Sequence, residues 1–184
     1  AWPKVSLVRV KNSNNSADSK IDKGGEDAAA SNGQGLVVSD GVGGWATEGV
    51  DPSQFSKYFT ERTLEGLAEL NPREAMLKAA TEATDRFTGS ATQVAMKISA
   101  DGPNFRQRIS ATQDTPSSAT EDGVNFRCTI SLTRAAIFQP AFQAGTGVPQ
   151  DDLASRIVEN EHDLNDGDII VMYSDGFSDN IYSK

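Results

Sequence analysis

The sequence predicts an α+β fold built on antiparallel sheet. Three observations carry this reading: strand-like segments near the N-terminus, two capped helical stretches in succession after residue 51, and short apolar runs from 91 to about 138 separated by turn residues. Regular alternation of strand and helix, the mark of a parallel sheet, is missing.

The elements follow in order. "KVSLVRVK" at 4–11 alternates apolar Val5, Leu7 and Val10 with polar residues and reads as a half-buried strand, followed by the polar loop "NSNNSADSKIDKGG". "GLVVS" at 35–39 is a second strand. Asp51-Pro52 supplies an N-cap with proline at the first helical position, and Phe55, Tyr58, Phe59, Leu64 and Leu67 keep a helical period to Leu70. Asn71-Pro72 repeats the device, with Glu74 at the third helical position as in a capping box, and Ala75, Leu77, Ala79, Ala80, Ala83 and Phe87 extend the pattern to Gly89.

From there the period changes. "ATQVAMKIS", "FRQRISAT", "NFRCTISL" and "RAAIF" read as an antiparallel meander, interrupted by the turn-rich loop or flap "DTPSSATEDG". "QPAFQAGTGVPQDD" reads as an irregular loop, 152–159 as a short helix, and "GDIIVMYS" as the last strong strand.

The chain has 184 residues, enough for one domain with a substantial core. Its 26 acidic and 17 basic residues leave a formal charge of −9, which disfavours nucleic acid or an anionic membrane as the main partner and suits divalent cations. A single cysteine excludes an internal disulfide framework, and no apolar run approaches the roughly 20 residues that span a bilayer. The reading is a soluble intracellular protein, with no signal-peptide pattern at its Ala-Trp-Pro start.

Two junctions stand out. "VVSDGVGGW" at 37–45 and "IIVMYSDGF" at 169–177 each run an apolar strand into Ser-Asp-Gly. Asp-Gly after a strand is by itself a turn signal. Two such strands in one sheet would bring Asp40 and Asp175 together at its rim, where adjacent carboxylates repel unless they share a proton or hold a cation, and hard oxygen ligands select Mg²⁺ or Mn²⁺. Glu26-Asp27 in "KGGEDAA" adds a third acidic candidate, or else a solvated turn.

Competing chemistries fare worse. With His162 and Cys128 the sole residues of their kinds, no zinc ligand set can be assembled, and His162 reads as an exposed loop or helix-end residue. Cys128 and Arg134 have the Cys-x5-Arg spacing of thiol phosphatases, but the intervening residues contain no glycine and alternate like a strand, so a buried structural cysteine is the better reading. Gly41 to Ala46 matches the dinucleotide pattern G-x-G-x-x-A, yet Asp40 would oppose the pyrophosphate and the helix begins too late to cap it.

With these residues in hand, the chain resembles the metal-dependent serine/threonine protein phosphatases, the type 2C or PPM family, and within it the mitochondrial and chloroplast branch. The matching pieces are "GGEDAA" at 24–29, "VVSDGVGGWATEGVDPSQFS" at 37–56, "GSATQVAM" at 89–96 and "LNDGDIIVMYSDGFSDN" at 164–180. The resemblance implies a single domain over 1–184 with a four-layer α-β-β-α sandwich, two central antiparallel sheets flanked by helix pairs. It implies that Asp40 bridges two Mn²⁺ or Mg²⁺ ions, that the Gly41 carbonyl binds one and Asp175 the other, and that Glu26 and Asp27 hold waters on the ions. The implied reaction is hydrolysis of phosphoserine and phosphothreonine in a phosphoprotein substrate by a two-metal-activated water, in a mitochondrion or chloroplast.

Three pieces of the family pattern are not found: the Gly-Asp-Ser/Gly segment expected between 97 and 138, an arginine shortly before the acidic pair, and the last metal-binding Asp, since the sequence stops at Lys184. They motivate a rival reading, a catalytically impaired pseudophosphatase acting as a binding or structural subunit. Without the family's final strands, residues 169–173 would form an apolar sheet edge that a partner covers.

Overall fold

The computed structural model describes residues 25–33, 35–98, 106–112, 127–131, 135–136, 143–163 and 169–174. The strand expected at 4–11, most of the loop after it and the turn-rich loop "DTPSSATEDG" lie outside the described residues, as does Asp175.

Strands β1 (Ala28–Ser31) and β2 (Gly35–Gly41) form a hairpin, which leads through a 3₁₀ turn at Gly43–Glu48 into helices α1 (Pro52–Gly66) and α2 (Pro72–Arg86). Strands β3 (Ser90–Ile98), β4 (Arg106–Thr112), β5 (Arg127–Ser131), β6 (Ala135–Ala136) and β7 (Ala144–Gly145) come next. Helix α3 (Gln150–Arg156) then runs directly into β8 (Ile157–Asp163), and β9 (Ile169–Tyr173) is the last described strand.

Both long helices start as their sequences dictate. Asp51 accepts from the Ser53 amide at 3.0 Å with Pro52 at the first position, and Asn71 accepts from the Glu74 amide at 2.8 Å with Pro72 behind it. Helix α1 ends at Gly66, four residues before the Leu70 its hydrophobic period suggested, because a tight turn at 67–70 must deliver the chain to the second cap. Small residues on the inner face of α2, Ala75, Ala79, Ala80 and Ala83, let it pack closely on α1, where Gly66 sits against Ala75. The Arg62 Nε donates to Glu82 at 2.6 Å and joins the two helices on their outer side.

Two antiparallel sheets result. The larger has the order β1-β2-β3-β4-β8, with β7 also paired to β3, and the smaller has the order β6-β5-β9. Helices α1 and α2 cover one face of the larger sheet, where Val37, Ala91 and Ala95 share a core with Phe55, Phe59 and Met76. On its other face Val38 and Val94 pack with Ala29 and with Met172 of β9. The α+β expectation with antiparallel sheet is met, as helices on sheet and a contact from sheet to sheet.

The structure corrects three readings. The helix expected at 152–159 ends at Arg156, because 157–163 pairs with β4 over its whole length, Thr112 opposite Ile157 and Arg106 opposite Asp163. His162 therefore lies within a strand, opposite Gln107, and not in a loop or at a helix end. The stretch 139–152 is not wholly irregular, since Ala144 and Gly145 pair with Ala91 and Ser90. Cys128 lies in β5 opposite Met172, as its strand-like surroundings suggested.

Candidate metal centre

Strand alternation decides where Asp40 points. Val37 and Ser39 face the helices, so Val38 and Asp40 face the second sheet. Asp40 is 8% exposed, next to last in β2, and opposite Thr92 of β3. Ser39 behind it belongs to a buried polar network: it accepts from Thr60 at 2.6 Å and from Gln93 Nε2 at 2.8 Å, while Gln93 Oε1 accepts from Thr63 at 2.7 Å. This network anchors the strand carrying Asp40 to α1 and fixes its rotation.

The acidic pair arrives from the neighbouring strand. In the β1–β2 ladder Ala28 opposes Ser39, so Asp27 and Asp40 lie one residue beyond on adjacent chains. Ser56 of α1 donates to the Glu26 carbonyl and holds that backbone against the start of the helix. Glu26 is half-buried and Asp27 is exposed.

The glycines account for the close approach. A Cβ on Gly41 would stand 2.6 Å from the Glu26 carbonyl oxygen and 3.2 Å from that of Pro52. One on Gly43 would stand 3.0 Å from a Glu26 carboxylate oxygen. Only residues without a side chain let Glu26 lie along the turn after Asp40. Beyond this turn Trp45 donates from its indole to the Ser90 hydroxyl at 2.8 Å, pinning the 3₁₀ segment to β3.

Asp175 lies outside the described residues, but Ser174 before it does not. The Ser174 hydroxyl donates to Asp27 Oδ2 at 3.3 Å, so the end of β9 meets the acidic pair. The structure thus brings Asp40, Gly41, Glu26 and Asp27 to one rim of the sheet. Among the described residues no group of three or more His, Cys, Asp and Glu side chains is gathered tightly enough to hold a metal by itself.

The donors at this rim are all hard oxygens, which suits Mg²⁺ or Mn²⁺ and not a soft metal. A further sign is Thr92, which is 0% exposed and whose hydroxyl has no hydrogen-bond partner, directly across from Asp40. The residues present therefore fit a hard divalent cation. Sequence reasoning found the acidic residues and Gly41 but missed Ser56, Thr92 and Ser174, whose relevance depends on strand register and helix placement.

No family model matches the chain. Individual relatives do. The chain is 31% identical over 178 residues to the probable protein phosphatase 2C 1 of Oryza sativa subsp. japonica, covering 90% of this chain and 50% of that protein. It is likewise 31% identical over 178 residues to the probable protein phosphatase 2C 26 of Arabidopsis thaliana, covering 89% of this chain and 54% of that protein. Among solved structures it is similar to the photosystem II phosphatase PBCP, with TM-score 0.67 and 27% identity over 89% of this chain and 64% of the other. The chain spans about half the length of the two curated relatives it matches. With a similar fold and sequence similarity running through almost all of its length, the chain is similar to the type 2C, or PPM, protein phosphatases.

Proposed function

We propose that this chain carries the catalytic rim of a PPM-type phosphatase that hydrolyses phosphoserine and phosphothreonine in proteins. The observation that carries the reading is the convergence of Asp40, Gly41, Glu26 and Asp27 at one sheet rim, with Ser174 bringing the end of β9 to the same place. Asp40, the Gly41 carbonyl and Asp175 would hold two Mn²⁺ or Mg²⁺ ions, with Glu26 and Asp27 steadying waters around them. When bound, two such cations lower the pKa of a shared water and neutralise charge on the phosphoryl oxygens.

The chain's own residues do the positioning. The Ser39 network holds β2 so that Asp40 presents its carboxylate to the space between the sheets. Ser56 fixes the backbone of Glu26, and Gly41 and Gly43 keep the approach open. The sheet-to-sheet contact through Met172 supports the four-layer sandwich in which residues 1–184 belong to a single PPM domain. Likeness to a photosystem II phosphatase favours an organellar setting. In the described sheet β9 is an edge strand, which keeps a partner at that edge part of the proposal.

The test is phosphate release from a phosphothreonine peptide with Mn²⁺ or with chelator, for the wild type beside Asp40→Asn. Release that needs Mn²⁺ and falls at least about 100-fold in the variant supports the two-metal reading. A folded chain that releases no phosphate is the pseudophosphatase, and release indifferent to both changes overturns the metal mechanism.

A further inference from the structure

Helix α2 ends on Arg86, whose guanidinium carbon lies 5.3 Å from the centre of the Tyr58 ring and 5.9 Å from that of Phe87. The two rings brace each other, with centres 5.4 Å apart and planes tilted by 60°, and both pack against the core under the helices. Phe87 reaches this place because the chain leaves the helix there, its backbone extended with φ −132° and ψ 142°. Arg86 itself is exposed.

A cation in the last turn of a helix is favoured by the helix dipole, and lysine would serve that purpose as well. Arginine on an aromatic pair needs a further reason. Arg62 is held by Glu82 and Glu65, and Arg73 by the carbonyls of Ala154 and Ile157. Arg86 meets rings instead, and among the described residues no carboxylate lies within ion-pair distance of it. Ring contact occupies the face of a guanidinium and leaves the N–H donors in its plane for an anion. Because the rings restrain the side chain beforehand, an incoming carboxylate orders it at lower cost than it would a free lysine.

Arg86 stands toward the end of the sheet that carries the acidic rim. After Phe87 the chain enters β3 at Ser90, whose carbonyl accepts from the Val42 amide at 3.0 Å and whose hydroxyl accepts from Trp45. Tyr58 lies in the first half of α1, the helix whose start puts the Pro52 carbonyl beside Gly41. Thr92, opposite Asp40, follows Arg86 by about six residues, so the two positions are at most about 22 Å apart. The 3₁₀ turn at Gly43–Glu48, pinned to Ser90 midway along that segment, buries none of its residues.

We propose that Arg86, seated on Tyr58 and Phe87, is a docking cation for an acidic side chain of the phosphoprotein substrate, within about six residues of the phosphorylated one. This rests on the phosphatase reading above and adds a substrate preference to it. On a chain with a formal charge of −9 an acidic flank is repelled over most of the surface, so a cation at this end separates acidic from neutral substrates. Arg86 acts away from the reacting atoms, and its contribution falls on substrate affinity.

The test measures phosphate release with Mn²⁺ from a pair of phosphothreonine peptides. One carries glutamates on both flanks, about three to six residues from the phosphothreonine, and the other carries glutamines at the same positions. Wild type is expected to favour the glutamate peptide about three- to fivefold in kcat/KM, through KM, with the preference shrinking as salt is raised. In Arg86→Ala the two peptides converge, while Arg86→Lys keeps part of the preference. Tyr58→Leu, which leaves the charge and removes its seat, keeps less than wild type. A wild type without preference, or an Arg86→Ala variant that slows both peptides alike, overturns the proposal and leaves Arg86 a helix-end cation. If wild type releases phosphate from neither peptide, the phosphatase reading fails, and fluorescence anisotropy of the same peptides, labelled, decides the docking by itself. Tighter binding of the glutamate peptide by wild type than by Arg86→Ala then supports it, and equal binding overturns it.

Discussion

The Ser174 hydroxyl and the Asp27 carboxylate, 147 residues apart in sequence, lie 3.3 Å apart, so the chain segment after β9 touches the one before β1. This contact is exposed and long, which makes it a poor source of stability and a good alignment device. Ser174→Ala is expected to raise the Mn²⁺ concentration for half-maximal phosphate release a few-fold, roughly 2- to 10-fold. Its unfolding free energy from urea denaturation should stay within about 0.5 kcal/mol of wild type. A metal titration of activity beside a denaturation curve checks both halves.

The two glycines after Asp40 differ in what opposes them. At Gly41 a methyl group meets the Glu26 backbone, which cannot step aside, whereas at Gly43 it meets the end of the Glu26 side chain, which can. Gly41→Ala is therefore expected to cost about 1–3 kcal/mol, and Gly43→Ala clearly less. Calorimetric melting of the two variants side by side decides the order.

Gln93 bridges β3 to Ser39 and Thr63 with both ends of its amide, all fully buried. Gln93→Leu keeps the volume but strands the Thr63 hydroxyl and removes one of two donors to Ser39. About 1–3 kcal/mol of stability should be lost, read from the urea midpoint. Because Ser39 adjoins Asp40, metal affinity should fall as well.

Asp51 caps α1, and the Ser53 side chain and amide hydrogen bonds hold its carboxyl below the ordinary value of 3.8. A lowered folded pKa means that the cap contributes fully above the unfolded value and fades as pH falls through the folded one. Asp51→Ala should lose about 1 kcal/mol near neutral pH. That gap should close as pH falls below the folded carboxyl's lowered value, as wild type loses the charged cap too. Stability curves at several pH values measure the convergence.

The sequence made some features plain for a local reason. Asp51-Pro52 and Asn71-Pro72 are complete helix starts within three residues, and both caps formed. Helix α1 was harder to end, because the signal lies in the turn that follows and not in its own period. Strand β8 was illegible, since "IVENEHD" is polar or charged from its third residue to its last and becomes a strand by pairing with β4. Strand β1 was hidden in a run of alanines that have little preference for sheet. At the candidate site the repeated Ser-Asp-Gly revealed Asp40, while Thr92 and Ser56 matter through register and packing that no local pattern records.

The pairing of β4 with β8 sets an order of events during folding. Residues 28–98 contain β1, β2, both long helices and β3 joined by short connections, and such local contacts form quickly. Strand β8 must cross from residue 112 to residue 157 before its first pair can close, and β9 comes later still. A chain emerging from the ribosome therefore has Asp40 seated in its strand while the segment leading to Asp175 is still unmade. The acidic rim closes last, and cation capture would report on the completed fold and not on its first half.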